Sequence, residues 1–349
     1  MARQRRRAIQ SANIRDVAAR AGVSPMTVSR VINRENNVRP RTRELVNAAI
    51  RELNYTPSPA ARSLAGSEPF RVGLLYDNPS LGYLGEILLG ALDESSRTGA
   101  QVLVEKCAGA HGAGATIEKL LRAGVEGLIV PAPLCESAPV LAEIARAELA
   151  AVALAPGEPT GNLSTVRIDN EAAARELTRH LLALGHVRFG FIQGPPDHGA
   201  SALRLKGFLG ALAEAGIAGD AIQLEPGYFT YRSGLQAARQ ILGASSRPTA
   251  IFAANDDMAA AACSLAHSLG LDVPQDISIV GFDDTPMAST IWPALTTMHQ
   301  PVAAMARAAV DLALQEIRRR RDGAGQPRHL VHPHMLVIRE STARAPEDR

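Results

Sequence analysis

From Arg71 onward, short runs of β-branched and other apolar residues alternate with segments of helical periodicity, and the alternation occurs twice. Val72–Tyr76 is followed by a helical stretch Gly82–Thr98, Gln101–Glu105 by Ala115–Ala123, and Gly127–Val130 by a helix near Leu141. A second series runs Val187–Ile192, a helix around Ser201–Ala215, Ala250–Ala253, a helix Met258–Leu269, and Ile277–Val280. Parallel strands need crossovers long enough to hold a helix, so this pattern restricts the chain to parallel sheets covered by helices on both faces. Two series imply two lobes, and 349 residues is too long for one ordinary core. Open parallel sheets take ligands beyond the carboxyl ends of their strands, which points to Asp77 and Asn78, Asn255 and Asp256, and Asp283 and Asp284.

The first 66 residues break the pattern. They hold thirteen arginines against four acids, a net charge of +9, while the remainder carries −7. A codon bias toward arginine would not concentrate the excess in one fifth of the chain, so this end is built to approach a polyanion. It lacks a long amphipathic helix with an aromatic face, which favours nucleic acid over a membrane surface.

Within this region, Asn13 suits the cap of a helix with Asp16 in its first turn and Ile14, Val17, Ala18 and Ala21 on one face. Gly22 permits a left-handed reversal, Ser24 is a second cap, and Pro25 fits the first position of a second helix reaching about Asn33. Ala18 is small where the helices must cross, and Val23, Val28 and Val31 close the contact, as a helix-turn-helix requires. Pro25, Met26, Thr27, Ser29 and Arg30 then face outward, toward the base edges and phosphates of a major groove. A third helix, about Arg41 to Leu53, contributes Leu45, Ala48, Ala49 and Leu53 to the core, with Tyr55 behind it. Ser58–Gly66 can form one further short helix, but a helix below about 12 residues is marginal in water and needs a partner.

Other features carry less. Cys107, Cys135 and Cys263 are odd in number and far apart, which fits reduced thiols. The arginines at 3 to 7 are followed by no apolar run, and no segment offers about 18 uninterrupted apolar residues, so a cytoplasmic, nucleoid-associated protein is expected. Gly109–Gly114 has GxxGxG spacing and reads as a flexible loop rather than a dinucleotide site. His329, His332 and His334 have no evident acid or thiol partner, so no metal is expected, and Arg318–Arg321 reads as the solvated end of a helix. No nucleophile is spaced with a base for catalysis, and neither an enzyme nor a cofactor is expected.

The stretch "IRDVAARAGVSPMTVSRVIN…RPRTRELVNAAIRELNYTPSPAARSLAG" strongly resembles the headpiece and hinge of the lac repressor and galactose repressor family of bacterial transcription regulators. "RVGLL", "GHVRFGFIQGP", "FAANDDMA", "DISIVGFDD" and "LTTMHQP" follow in that family's order. The resemblance implies an α/β chain: an all-α helix-turn-helix headpiece with a basic arm over residues 1–57, a hinge helix and linker over 58–69, and a two-lobed, periplasmic-binding-protein-like, doubly wound parallel-sheet domain over 70–349. It assigns DNA contacts to Asn13, Ser24, Pro25, Met26, Thr27, Ser29, Arg30, Asn33, Thr42, Tyr55, Ala61 and Leu64, with Leu64 wedging into the minor groove. Asp77, Tyr83, Arg204, Phe229, Asn255 and Asp283 would hold a small-molecule effector between the lobes, a mono- or oligosaccharide being expected from Arg204, Asp283 and Phe229.

The implied partners are a near-palindromic operator in double-stranded DNA, the effector, and a second copy of the chain. A dimer is expected because the chain stops at "RESTARAPEDR" without the leucine heptads of the family's tetrameric members. Three alternatives stay open at this stage: a co-repressor-dependent regulator sensing a non-sugar metabolite, a sugar-binding transport component, and a sugar-modifying enzyme with a DNA-binding appendage.

Overall fold

The computed structural model describes residues 13–32, 38–53, 55, 69–322 and 326–346. The chain divides into two compact units, the division falling between Pro69 and Phe70.

In the first unit, α1 spans Ile14–Ala21. Asn13 Oδ1 accepts from the amides of Arg15 and Asp16, and the Asp16 carboxylate accepts from the Asn13 amide at 2.8 Å, a reciprocal cap that satisfies two otherwise orphaned donors, the amides of Asn13 and Arg15. Replacing Asn13 with alanine should cost the unit about 1 kcal/mol, read from chemical denaturation. Gly22 ends α1 at φ 67°, a left-handed conformation that a side chain would strain. Ser24 then caps α2 (Pro25–Ile32) through its hydroxyl and the amide of Thr27. With α3 (Pro40–Glu52), these helices enclose Val17, Ala18, Val28, Val31, Val46, Ala49 and Tyr55. The expected face of α3 is offset: Leu45 is 52% exposed and Ala48 is exposed, while Val46 and Ala49 are buried with Ile50 and Leu53 beside them. Both stripes have helical spacing, and the one with more branched apolar bulk, Val46, Ile50 and Leu53, takes the core.

The second unit contains two six-stranded sheets. The first is built from β1 (Arg71–Tyr76), β2 (Gln101–Lys106), β3 (Gly127–Pro131), β4 (Ala150–Leu154), β5 (Ser164–Ile168) and β11 (His329–His332), in the order β11-β5-β4-β3-β1-β2, all parallel. The second is built from β6 (Phe189–Ile192), β7 (Ile222–Glu225), β8 (Ala250–Ala253), β9 (Ser278–Asp283), β10 (Thr296–His299) and β12 (Met335–Val337), in the order β12-β10-β9-β8-β6-β7, parallel except for β12. Helices α4 (Leu81–Thr98), α5 (Gly109–Arg122), α6 (Ala138–Arg146) and α12 (Val302–Asp322) serve the first lobe. Helices α7 (Asn170–Ala183), α8 (Gly199–Glu214), α9 (Tyr231–Gly243), α10 (Asp256–Ser268) and α11 (Pro286–Thr290) serve the second.

The chain therefore crosses between lobes three times: after β5, after β10 and after β11. The central strands are buried on both faces, and Phe189, Phe191, Phe208 and Phe252 interlock in the second lobe with ring centres 4.7 to 6.1 Å apart.

Gly109–Gly114, expected as a flexible loop, forms the first turns of α5, because Gly109 at φ 58° makes the reversal and the alanines between continue as helix. His329 Nδ1 lies 3.0 Å from Thr165 Oγ1, and His334 Nε2 lies 3.2 Å from Glu176, so these histidines tie β11 and the third crossing to their neighbours. Arg319, Arg320 and Arg321 occupy the last turn of α12, where cations suit the helix dipole. Among the described residues, no helix is long and apolar enough to cross a membrane.

Candidate functional site: an interlobe cavity and an exposed helix-turn-helix face

Between the lobes lies a small cavity lined by Asn78, Ser80, Tyr83, Ala155, His198, Ala200, Arg204, Phe229, Asn255, Asp283 and Gln300. The topology explains the set, since β1, β4, β6, β8, β9 and β10 all end toward it and most lining residues follow those ends.

Arg204 is the anchor. It is 4% exposed, and its Nε donates to Asn170 Oδ1 at 3.0 Å, its Nη1 to the Ala254 carbonyl at 2.6 Å and its Nη2 to Asp283 Oδ1 at 3.2 Å. The guanidinium also lies over the Phe282 ring, 3.7 Å from its centre. Asp283 ends β9 at φ 102°, followed by Asp284 at φ 58°, and Phe229 sits at φ 58°. Ala155, also on the lining, is at φ 55°, and four non-glycine residues in the left-handed region at or beside one cavity mark a site where packing overrides backbone preference.

Burial pushes the Asp283 carboxyl up to about 7, against the opposing pull of Arg204. A carboxyl that titrates near 4 in the unfolded chain and near 7 in the folded one takes up a proton on folding, so its contribution to stability falls as pH rises through that window. The Asp283→Asn variant should lack this slope: its melting temperature relative to the parent should climb from pH 5 to pH 8, and a pH-independent difference would contradict the assignment.

Burial, reinforced by Arg204, pushes His198 down to about 3, so the imidazole is neutral. Its Nδ1 is buried with no hydrogen-bond partner, and the ring stands edge-on to Phe229 at 5.2 Å. Asn255 accepts from the Met258 amide as the cap of α10 and donates to the Phe229 carbonyl at 3.1 Å, fixing the aromatic wall. Burial holds the Tyr83 phenol well above its ordinary value, and its oxygen accepts from Gln300 at 3.1 Å. Ser80 of the first lobe donates to Asp257 of the second at 2.5 Å. Asp256 does not reach the cavity; its carboxylate takes three bonds from Thr285 and Thr297 and joins the strand ends.

Of the six residues expected here, Tyr83, Arg204, Phe229, Asn255 and Asp283 are brought together. Asp77 stands apart: its Oδ2 is directed to the start of α5, 4.0 Å from where a Cβ on Gly109 would lie, and Asn78 and Ser80 line the rim instead. His198 and Gln300 went unrecognised in the sequence, although the strand-end argument covers both, following β6 and β10.

In the first unit, Met26 is 63% exposed, with Asn13, Ser24, Pro25 and Arg30 also exposed and Thr27, Ser29 and Thr42 half-buried. The Ser24 and Thr27 hydroxyls bond each other at 2.9 Å. Tyr55, expected as a DNA contact, is 6% exposed and belongs to the headpiece core, where its ring covers the valines. Asn33, Ala61, Leu64 and the hinge helix lie outside the described residues.

Comparison with known proteins agrees with this architecture. Residues 13–58 match the bacterial regulatory proteins of the lacI family, and residues 178–342 match the periplasmic binding protein-like domain. The HTH-type transcriptional repressor PurR of Escherichia coli O1:K1 is 35% identical over 341 residues, covering 96% of this chain and 98% of that protein. The lac repressor dimer bound to operator and the anti-inducer ONPF is 32% identical with a TM-score of 0.71, covering 96% of this chain and all of that one. The complex of the transcriptional regulator CelR with cellobiose is 31% identical, also at 0.71, over 95% and 99%.

The chain belongs to the lacI family of bacterial regulatory proteins. It is a DNA-binding transcriptional repressor of that family, and its homologues are repressors rather than enzymes.

Proposed function

We propose that two copies of the chain bind a near-palindromic operator, each laying α2 in a major groove, and that a sugar seated between the lobes releases the DNA. The carrying observation is the cavity chemistry: a fixed guanidinium beside a carboxylate, with an aromatic ring as one wall. Arg204 and Asp283 suit adjacent hydroxyls, one donating and one accepting, while Phe229 covers an apolar ring face. The orphaned Nδ1 of His198 supports this reading, because a buried unpaired polar atom costs about 1 to 3 kcal/mol that a ligand hydroxyl would relieve. On the DNA side, Pro25, Met26 and Arg30 would read bases, with Asn13, Ser24, Thr27, Ser29 and Thr42 setting register on the phosphates.

A second reading has two observations in its favour: Tyr83 and Phe229 both line the cavity and could sandwich a flat heterocycle, and a 35% identical relative is PurR. Calorimetric titration of the full chain separates the two. Monosaccharides, with cellobiose as the two-ring probe, should give saturable heats and purine bases none; the reverse would establish the heterocycle reading, and neither class binding would remove the sugar proposal.

A further inference from the structure

We propose that Glu136 is an interlobe latch, a positioning residue that holds the two walls of the cavity in register before any ligand arrives. It ends the 3-10 turn Leu134–Glu136 that follows β3 in the first lobe. One carboxylate oxygen accepts from the Gly157 amide in the same lobe at 2.8 Å, and the other accepts from the Gly199 amide in the second lobe at 2.9 Å. Gly199 is the first residue of α8, so the carboxylate also meets the positive end of that helix. The same helix carries Ala200 and Arg204, His198 directly precedes it, and Ala155 lies two residues before Gly157. Glu136 lines none of the cavity itself; it ties together the backbones that do.

The two glycines fit no other arrangement as well. A Cβ on Gly157 would lie 2.5 to 2.9 Å from three backbone atoms of Gly199, and no atom of its own lobe comes as near. A Cβ on Gly199 would meet a Glu136 carboxylate oxygen. The lobes thus approach backbone to backbone at this point, and the contact exists only while they are closed. A charge-assisted bond to two amides is stronger than a neutral one, so the latch biases the open–closed equilibrium that a ligand must work against or with.

This inference takes its regulatory meaning from the effector reading of the cavity, but its test needs no ligand. Backbone hydrogen exchange of the full chain, followed by mass spectrometry, compares the parent with Glu136→Ala and Gly157→Ala. The second variant is strained only when the lobes are closed, so it folds by relaxing open. Peptides covering 155–159 and 197–203 should exchange roughly tenfold faster in both variants, with strands β3 and β8 unchanged, and Glu136→Gln, which keeps one of the two acceptor oxygens, should fall between. Parental exchange at 197–203 in either alanine variant would overturn the latch, as would a general acceleration through β3, which would make Glu136 a prop of its own lobe. Either failure leaves the effector reading standing, because that reading is tested by ligand binding.

Discussion

Replacing Arg204 with alanine is expected to abolish the effector response while operator binding persists. The side chain makes five polar or cation–π contacts inside the second lobe, and its removal leaves Asp283, 6% exposed, without its counter-charge. Breaking one partner of a buried pair costs about 3 to 5 kcal/mol, so the second lobe should lose stability as well. Asp283 softens that loss by taking a proton, since its carboxyl already titrates near 7. Below pH 7 the variant should therefore recover part of its melting temperature. Effector affinity should fall at least 100-fold, because bonds to charged groups are worth about 1.5 to 3 kcal/mol each. Electrophoretic shift of operator DNA with and without ligand reads both parts. Loss of operator binding in a protein that remains folded would contradict the separation of the two sites.

The second large effect is expected at Ala18→Leu. Ala18 is 3% exposed where α1 crosses α2, and among the described residues the headpiece core holds only seven fully buried side chains. Inserted bulk costs about 1 to 3 kcal/mol in a well-packed core, which is a large share of what so small a unit can hold. Operator affinity should drop by 100-fold or more, while the melting transition and ligand binding of the second unit stay at parental values. An unchanged operator affinity would mean that the headpiece repacks around the leucine, and that the α1–α2 crossing is looser than its burial implies.

These two variants bracket how far the sequence could be read. The helix-turn-helix was legible because it is local: Asn13, Gly22, Ser24 and Pro25 fix helix ends within a few residues, and those signals survive folding unchanged. The lobes were legible in kind because β–α alternation leaves few alternatives, yet β4, β5, β7 and β10 to β12 escaped notice. Strands such as Ala150–Leu154, buried on both faces, show no alternation, and short edge strands such as Met335–Val337 show too little of anything. A missing strand explains one of the two missing site residues. Gln300 stands just past the end of β10, a strand of four residues too uniformly buried to show an alternation.

Asp77 illustrates the opposite limit. The strand-end argument places it at the right level of the sheet, but which side of the loop a side chain takes is decided by the packing of α5, which no spacing encodes. Glu136 was invisible for the same reason, its two amide partners lying 21 and 63 residues away.

The central claim is that occupancy of the interlobe cavity changes affinity for DNA. The most direct test is the operator dissociation constant, on a fragment selected from random duplex DNA, measured with and without a ligand that calorimetry has shown to bind. The parent chain should show a shift of about 5- to 150-fold and the Arg204→Ala chain none. A ligand that saturates the parent protein through Arg204 yet leaves its operator affinity unchanged would contradict the claim.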